Sequence, residues 1–334
     1  VQVFAYSRHP SVCHSLGRIY LRRDCIDKAI EFFRVALKSR APQPSSLAFL
    51  ALCWQMKGRL SRAQGLYRAA IRAGGDAANV LCNYACLLHE TGNITGAVEL
   101  LDRAISLDPE FAEAHCNLSY ALLSLGDYRR GWSEYEWRLR RSSVQVLLAD
   151  PGSSQWDGIS SLSAKTLLVM GEQGLGDILQ SWRYVDSLER AALRCIACVP
   201  QCLHRLIRSA GFTGDLITPD ESPSVVWDEW VALGSLPHLQ GASPSNPGAV
   251  NGYLQVCSDL LAEQAGNPSS PDQPIVGICW QGNPSAERFV LRGRSMPLHA
   301  FAPLVAAASV RLLSLQKLVG LDQFDECAFR SSFV

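Results

Sequence analysis

The chain has 334 residues, with 31 basic and 31 acidic side chains and a formal net charge of zero. That balance argues against a nucleic-acid-binding surface as its main purpose. At 48% apolar residues it can bury real cores over two or three domains, yet no apolar run reaches the roughly 18 residues of a membrane span and no basic-then-apolar leader opens the chain.

Between residues 10 and 145 the sequence repeats itself every 34 residues. Ala29, Ala63, Ala97 and Gly131 share one position, and Phe33, Tyr67, Leu101 and Tyr135 follow four residues later. Ala36, Ala70 and Ala104 come three further on, while Gly58, Gly92 and Gly126 mark the turn between two helices. With Leu16-Gly17, Tyr20 and Pro109 this resembles the tetratricopeptide (TPR) pattern. The resemblance implies four helix pairs, stacked because no pair can bury its apolar face alone. Small residues recur where the paired helices cross closely. In the last unit Arg138 stands where the others have alanine, and Trp132, Tyr135 and Trp137 crowd its second helix. We read this unit as a capping helix docked on the next domain, with Arg138, Arg140 and Arg141 as a solvated helix end that complements the dipole. The concave face of such an array is expected to bind a protein or peptide, with Asn83, His89 and Asn117 lining it.

The twelve cysteines are scattered. Cys82 and Cys86 sit four apart on one helix, and Cys195, Cys198 and Cys202 are close in sequence. No second pair or histidine lies at a matching distance, so no metal site is expected. Cys195 and Cys198 fall on opposite faces of a strand. Reduced, mostly buried thiols in a cytoplasmic protein fit this usage.

A linker, Pro151-Gly152-Ser153-Ser154, leads to Trp156-Asp157-Gly158. The short apolar run Thr166 to Met170 reads as a buried strand. A turn with Gly171, Gly174 and Gly176 follows, then a helix carrying Ile178, Leu179, Trp182, Val185 and Leu188. In an open α/β sheet ligands lie beyond the carboxyl ends of the strands, and glycines there let backbone N–H groups approach a ligand closely. Asp177, in the first helical turn, therefore has two readings: it caps the helix, or it stays ionised and serves as a base. The glycine spacing is not the dinucleotide fingerprint. Further strands are expected at Arg194 to Val199, Asp215 to Thr218 and Trp227 to Leu233, with a helix over Gln201 to Ala210. That alternation predicts a parallel sheet. His238 follows proline in a loop, and Ser243 to Gly248 shows no clear chemistry.

After Pro271-Asp272-Gln273-Pro274 a fresh strand, Ile275 to Trp280, ends in the turn Gln281-Gly282-Asn283-Pro284. A basic loop with Arg288, Arg292 and Arg294 follows. Arginines there suit a diphosphate, because the guanidinium fork is planar and always charged, and suit a solvated loop equally well. A helix over Leu298 to Ala308 and a strand over Val310 to Leu315 come next, while Asp325 to Val334 carry no strand signal.

The string Glu172-Gln173-Gly174-Leu175-Gly176-Asp177, with Gln180 and Arg183-Tyr184, resembles the first Rossmann turn of bacterial repeat proteins whose second half is similar to the heptosyltransferases, glycosyltransferase family 9. Trp156-Asp157-Gly158, Ser235-Leu236-Pro237, the Trp280 to Pro284 turn, Arg294-Ser295-Met296-Pro297-Leu298 and Ser314-Leu315-Gln316-Lys317 extend the likeness. It implies a TPR superhelix over 10–145, then Rossmann-like α/β domains of the GT-B type: an acceptor-side domain over 151–270 and a partial nucleotide-sugar domain over 275–334. It further implies inverting, metal-independent sugar transfer from a nucleotide sugar to a protein or glycan presented by the repeats, with no cofactor. By this resemblance Asp177 is the catalytic base, and Gln173, Gly174, Gly176, His238, Gln281, Asn283, Arg292, Arg294, Ser295, Gln316 and Lys317 bind substrate. Two alternatives stay open. One is a peptide-directed O-linked N-acetylglucosamine transferase, which also joins such repeats to two Rossmann-like domains. The other is an interaction scaffold whose truncated transferase domain is inactive. Because the chain starts at Val1 and the family's later Asp-Thr pair and donor-holding histidine do not follow, we expect it to be a fragment.

Overall fold

The computed structural model describes residues 9–38, 43–75, 77–141, 147, 149–152, 154–248, 252–255, 274–282, 295–307, 310–317 and 319–333. The chain divides into two compact units, Val1–Val256 and Cys257–Val334.

The first unit opens with helix pairs: α1 (Pro10–Arg22) with α2 (Ile26–Ala36), α3 (Pro44–Met56) with α4 (Leu60–Arg72), α5 (Ala78–Glu90) with α6 (Ile94–Leu107), and α7 (Ala112–Leu125) with α8 (Tyr128–Tyr135). The first helices begin 34 residues apart, as the repeat predicts. Ala29, Ala63 and Ala97 are wholly buried, and Phe33, Tyr67 and Leu101 fill the space beside them. The turns between paired helices need a left-handed residue. Gly58, Gly92 and Gly126 supply it at φ 70°, 82° and 84°, while Asp24 takes the same place in the first pair at φ 59°. A 3₁₀ turn, Glu136–Arg140, continues α8. There Trp137 stacks on the buried His115 ring at 3.8 Å, and the two ring nitrogens of His115 face the Glu134 carboxylate (2.5 Å) and the Pro109 carbonyl (3.0 Å).

The unit closes with a parallel sheet in the order β1-β5-β2-β3-β4, made of β1 (Ser154–Gln155), β2 (Thr166–Met170), β3 (Arg194–Cys198), β4 (Asp215–Ile217) and β5 (Glu229–Ala232). In β2, Leu167 and Val169 join one core while Leu168 and Met170 join another, all four fully buried. A strand covered on both faces is apolar at every position, which is why the run is continuous and not alternating. Cys195 and Cys198 fall on opposite faces as expected. Strand β1 lies in the stretch read as linker, and its two exposed polar residues give no strand signal. The helix expected after β2 is instead α9 (Leu175–Ser181), a 3₁₀ turn (Trp182–Tyr184) and α10 (Asp186–Ala191). Trp182, Val185 and Leu188 recur every third residue, and all three are buried. Two short helices follow, α11 (Gln201–Ser209) and α12 (Leu236–Leu239).

Burial pushes the thiols of Cys53 and Cys195 up to about 12 and those of Cys116 and Cys198 up to about 11. Since the thiolate is the nucleophile, iodoacetamide at pH 8 is expected to label the exposed Cys25 and Cys202 of the native protein and spare these four. Mass spectrometry of the labelled peptides checks it, and rapid labelling of Cys195 would contradict the assigned burial.

The second unit pairs β6 (Ile275–Ile278) with β7 (Arg311–Ser314) in parallel. Between them run a 3₁₀ turn, Leu298–Phe301, and α13 (Ala302–Ala307). The tail, α14 (Asp322–Asp325) and a 3₁₀ turn at Arg330–Ser332, brings Phe324, Phe329 and Phe333 to the core around Trp280. Among the described residues no helix is long and apolar enough to cross a membrane.

Candidate functional site

The turn between β2 and α9 is built from both halves of the first unit. Glu172 leaves β2 with its carboxylate buried (3% exposed). Arg138, 2% exposed, grips it through two bonds: Nε to Oε2 at 2.8 Å and Nη2 to Oε1 at 2.6 Å. Nη2 also donates to Ser235 Oγ (2.9 Å), and Nη1 donates to Glu136 Oε1 (2.8 Å) and to the Tyr135 carbonyl (3.2 Å). The Gly234 N–H donates to Glu172 Oε1 at 2.6 Å. A Cβ on Gly234 would stand 2.4 Å from that oxygen, so any other residue there would have to displace the clamped carboxylate. Burial opposes the charge on Arg138, but Glu172 more than offsets it and holds the guanidinium pKa above its ordinary value. Arg138 is thus not a solvated helix end, contrary to expectation: it points into the array's small-residue slot and meets a buried carboxylate there. Arg140 does reach solvent, over the Trp137 ring and beside Glu110.

The next residue, Gln173, has φ 60° without being glycine, a left-handed conformation that a long side chain seldom adopts. Its Nε2 donates to the Tyr135 hydroxyl at 2.6 Å. Burial pushes that hydroxyl up to about 12, although Arg138 and Gln173 pull the other way, so it is a neutral phenol at physiological pH. Asp177 Oδ2 accepts from the Gly174 N–H at 3.1 Å, the reach-back bond of a capping box from the third helical residue to the N-cap. Among the described residues its Oδ1 has no hydrogen-bond partner.

These groups border a cleft of about 130 Å³. Trp132 and Tyr135 of α8 form one wall, and Gln173, Asp177, Gln180 and Arg183 form the other. The indole N–H of Trp132 is tied to the Ala242 carbonyl (3.1 Å), which fixes the ring. Gly174 and Gly176 are exposed, and a Cβ on Gly176 would meet nothing within 4 Å. His238 is half-buried in α12 and does not line the cleft, although its neighbour Pro237 does.

The remaining predicted residues belong to the second unit. Gln316 is buried and its amide is spent on the chain itself. Its Oε1 accepts from the N–H groups of Trp280 (3.0 Å) and Gln281 (2.9 Å), and its Nε2 donates to the carbonyls of Gln281 (3.0 Å) and Val319 (2.7 Å). Ser295 Oγ accepts from the Gly282 N–H at 2.8 Å. These bonds lock the turn after β6, with the Gln281 side chain held by Gln323 and Lys317 exposed. Asn283, Arg288, Arg292 and Arg294 lie outside the described residues.

Residues 87–126 match the family model described as TPR repeat. The helical part of this chain is a TPR array. Protein FlbA of Caulobacter vibrioides is 23% identical over 367 residues, an alignment covering 92% of this chain and 60% of FlbA. The chain therefore spans about 60% of the length of this curated relative. Similar solved structures include Pseudomonas aeruginosa pilF (27% identity, TM-score 0.38, 41% of this chain and 62% of that one). MamA shows 17% identity and a TM-score of 0.37 over 41% of this chain and 81% of its own. YrrB, described as a TPR protein with an unusual peptide-binding site, shows 15% identity and a TM-score of 0.36, covering 42% of this chain and 73% of its own.

Proposed function

We propose that this chain is a protein-binding TPR array joined to a sugar-transfer unit, in which the array holds a protein or glycan acceptor and the cleft receives its hydroxyl. The observation that carries the reading is the Asp177 carboxylate, with one oxygen capping α9 and the other open in a cleft whose opposite wall belongs to the array. In the transfer step Asp177 takes the proton of the acceptor hydroxyl. The oxygen attacks the anomeric carbon of a nucleotide sugar, the bond from that carbon to the diphosphate breaks, and the nucleoside diphosphate leaves. Lys317 and Arg294 are the cations proposed for the departing diphosphate. The donor, its domain and its residues rest on the family-9 resemblance alone.

On the array, Asn83 and His89 of α5 are half-buried, and Asn117 of α7 donates to Cys82 Sγ at 3.2 Å. His89 Nε2 is a buried nitrogen with no hydrogen-bond partner among the described residues, a group that a bound chain would satisfy. A second reading, an interaction scaffold without transferase activity, is favoured by the family-model match falling on the array alone.

One experiment separates them. The protein is used to capture partners and is then offered a panel of nucleoside-diphosphate sugars, and diphosphate release is measured. The transferase reading expects release with at least one donor. Capture with every donor silent favours the scaffold. For the array, the double substitution Asn83→Ala with His89→Ala is expected to weaken capture about tenfold while far-UV circular dichroism stays unchanged. A large loss of helicity would remove these residues from the binding face.

A further inference from the structure

We infer that Tyr135 and Arg138 of the last repeat are positioning residues, which hold the β2–α9 turn in the conformation that presents Asp177 to the cleft. The inference rests on the geometry of the turn and not on the transferase reading.

Two consecutive turn residues, Glu172 and Gln173, have their side chains anchored on the array, and among the described residues the one further hydrogen bond to either side chain comes from the Gly234 N–H. Gln173 is the residue with the unfavourable backbone, and its only hydrogen bond from the side chain among the described residues goes to the Tyr135 hydroxyl. A strained conformation persists where the surroundings over-determine it; Tyr135 and Arg138 supply the side-chain part of those surroundings, beside the Gly234 N–H and the backbone bridge from Leu147 to Glu172. Tyr135 is itself fixed, with the Arg138 guanidinium 4.5 Å from its ring centre and Trp132 and Tyr120 packed edge-on at 5.8 and 6.1 Å. From Gln173 the constraint passes directly to Gly174, whose N–H is bound by Asp177. Every link from the array to Asp177 is thus a covalent neighbour or a hydrogen bond of 3.1 Å or less.

Amide hydrogen exchange on the whole protein tests this. Tyr135→Phe removes only the hydroxyl and keeps the ring. It is expected to raise exchange in the peptide 171–180 by about five- to tenfold, the loss of one hydrogen bond, while peptides from α7 and β2 exchange as before. The double substitution Arg138→Met with Glu172→Met replaces both charges by apolar groups of similar size and is expected to fold with the same local rise. Unchanged exchange over 171–180 in both variants would overturn the inference, because the turn would then define itself. An equal rise across the array and the sheet would also overturn it, since that is the signature of general loosening.

Discussion

Replacing Arg138 with alanine is expected to destabilise the first unit by about 3–5 kcal/mol, because it strands the Glu172 carboxylate in the interior without its partner. The figure belongs to the broken pair and not to the worth of the intact one. Two buried charges cost desolvation that their attraction only roughly repays, so Arg138→Met with Glu172→Met is expected to lie within about 1–2 kcal/mol of the parent. The alanine variant also takes the cation from above the Tyr135 ring and a donor from Ser235. Thermal melting reads the difference: a loss of this size lowers the midpoint on the order of 10 °C for a unit this large. A drop under about 1 kcal/mol in the single variant would mean that water reaches the pair, and the buried clamp would have to be abandoned.

Under the proposed transferase reading, the largest effect on chemistry is expected at Asp177. Asp177→Asn should slow sugar transfer by about 10²- to 10⁴-fold, the usual contribution of a positioned general base. The amide oxygen of asparagine still accepts from the Gly174 N–H, so the cap survives and the turn stays as it is. Asp177→Ala removes both roles and is expected to cost a further ~1 kcal/mol of stability. The pair of variants therefore separates the two readings that the sequence leaves open. If asparagine preserves turnover and alanine only destabilises, Asp177 is a cap and the base must be sought elsewhere. Donor binding, measured by calorimetry, should be equal in the parent and the asparagine variant.

The repeat was legible because periodicity is a property of the sequence itself, and every alanine it placed at a helix crossing is buried. The central strand was legible for the same kind of reason, an uninterrupted apolar run closed by glycine. Strand β1 was not, because a two-residue edge strand owes its conformation to Glu229 and Trp230, which lie far along the chain. Arg138 was misread although the signal stood in the repeat: its position is that of Ala36, Ala70 and Ala104, all buried. A charged residue in an invariably buried slot asks for a buried partner, and Glu172 occupies the corresponding place at the start of the glycine turn. The role of Tyr135 was hidden for another reason, since nothing local marks a hydroxyl that will meet a side chain 38 residues later.

Placing an arginine in the last slot also fixes where the repeat can vary. Each unit of such an array touches only its neighbours, so a helix pair added or lost upstream of α7 would leave Arg138, Tyr135 and the turn they hold untouched. A pair inserted after the 3₁₀ turn that carries Arg138 would move the guanidinium away from Glu172. Repeat number in this architecture is therefore free to change on the upstream side and locked at the junction, which lets the length of the array change without disturbing the cleft.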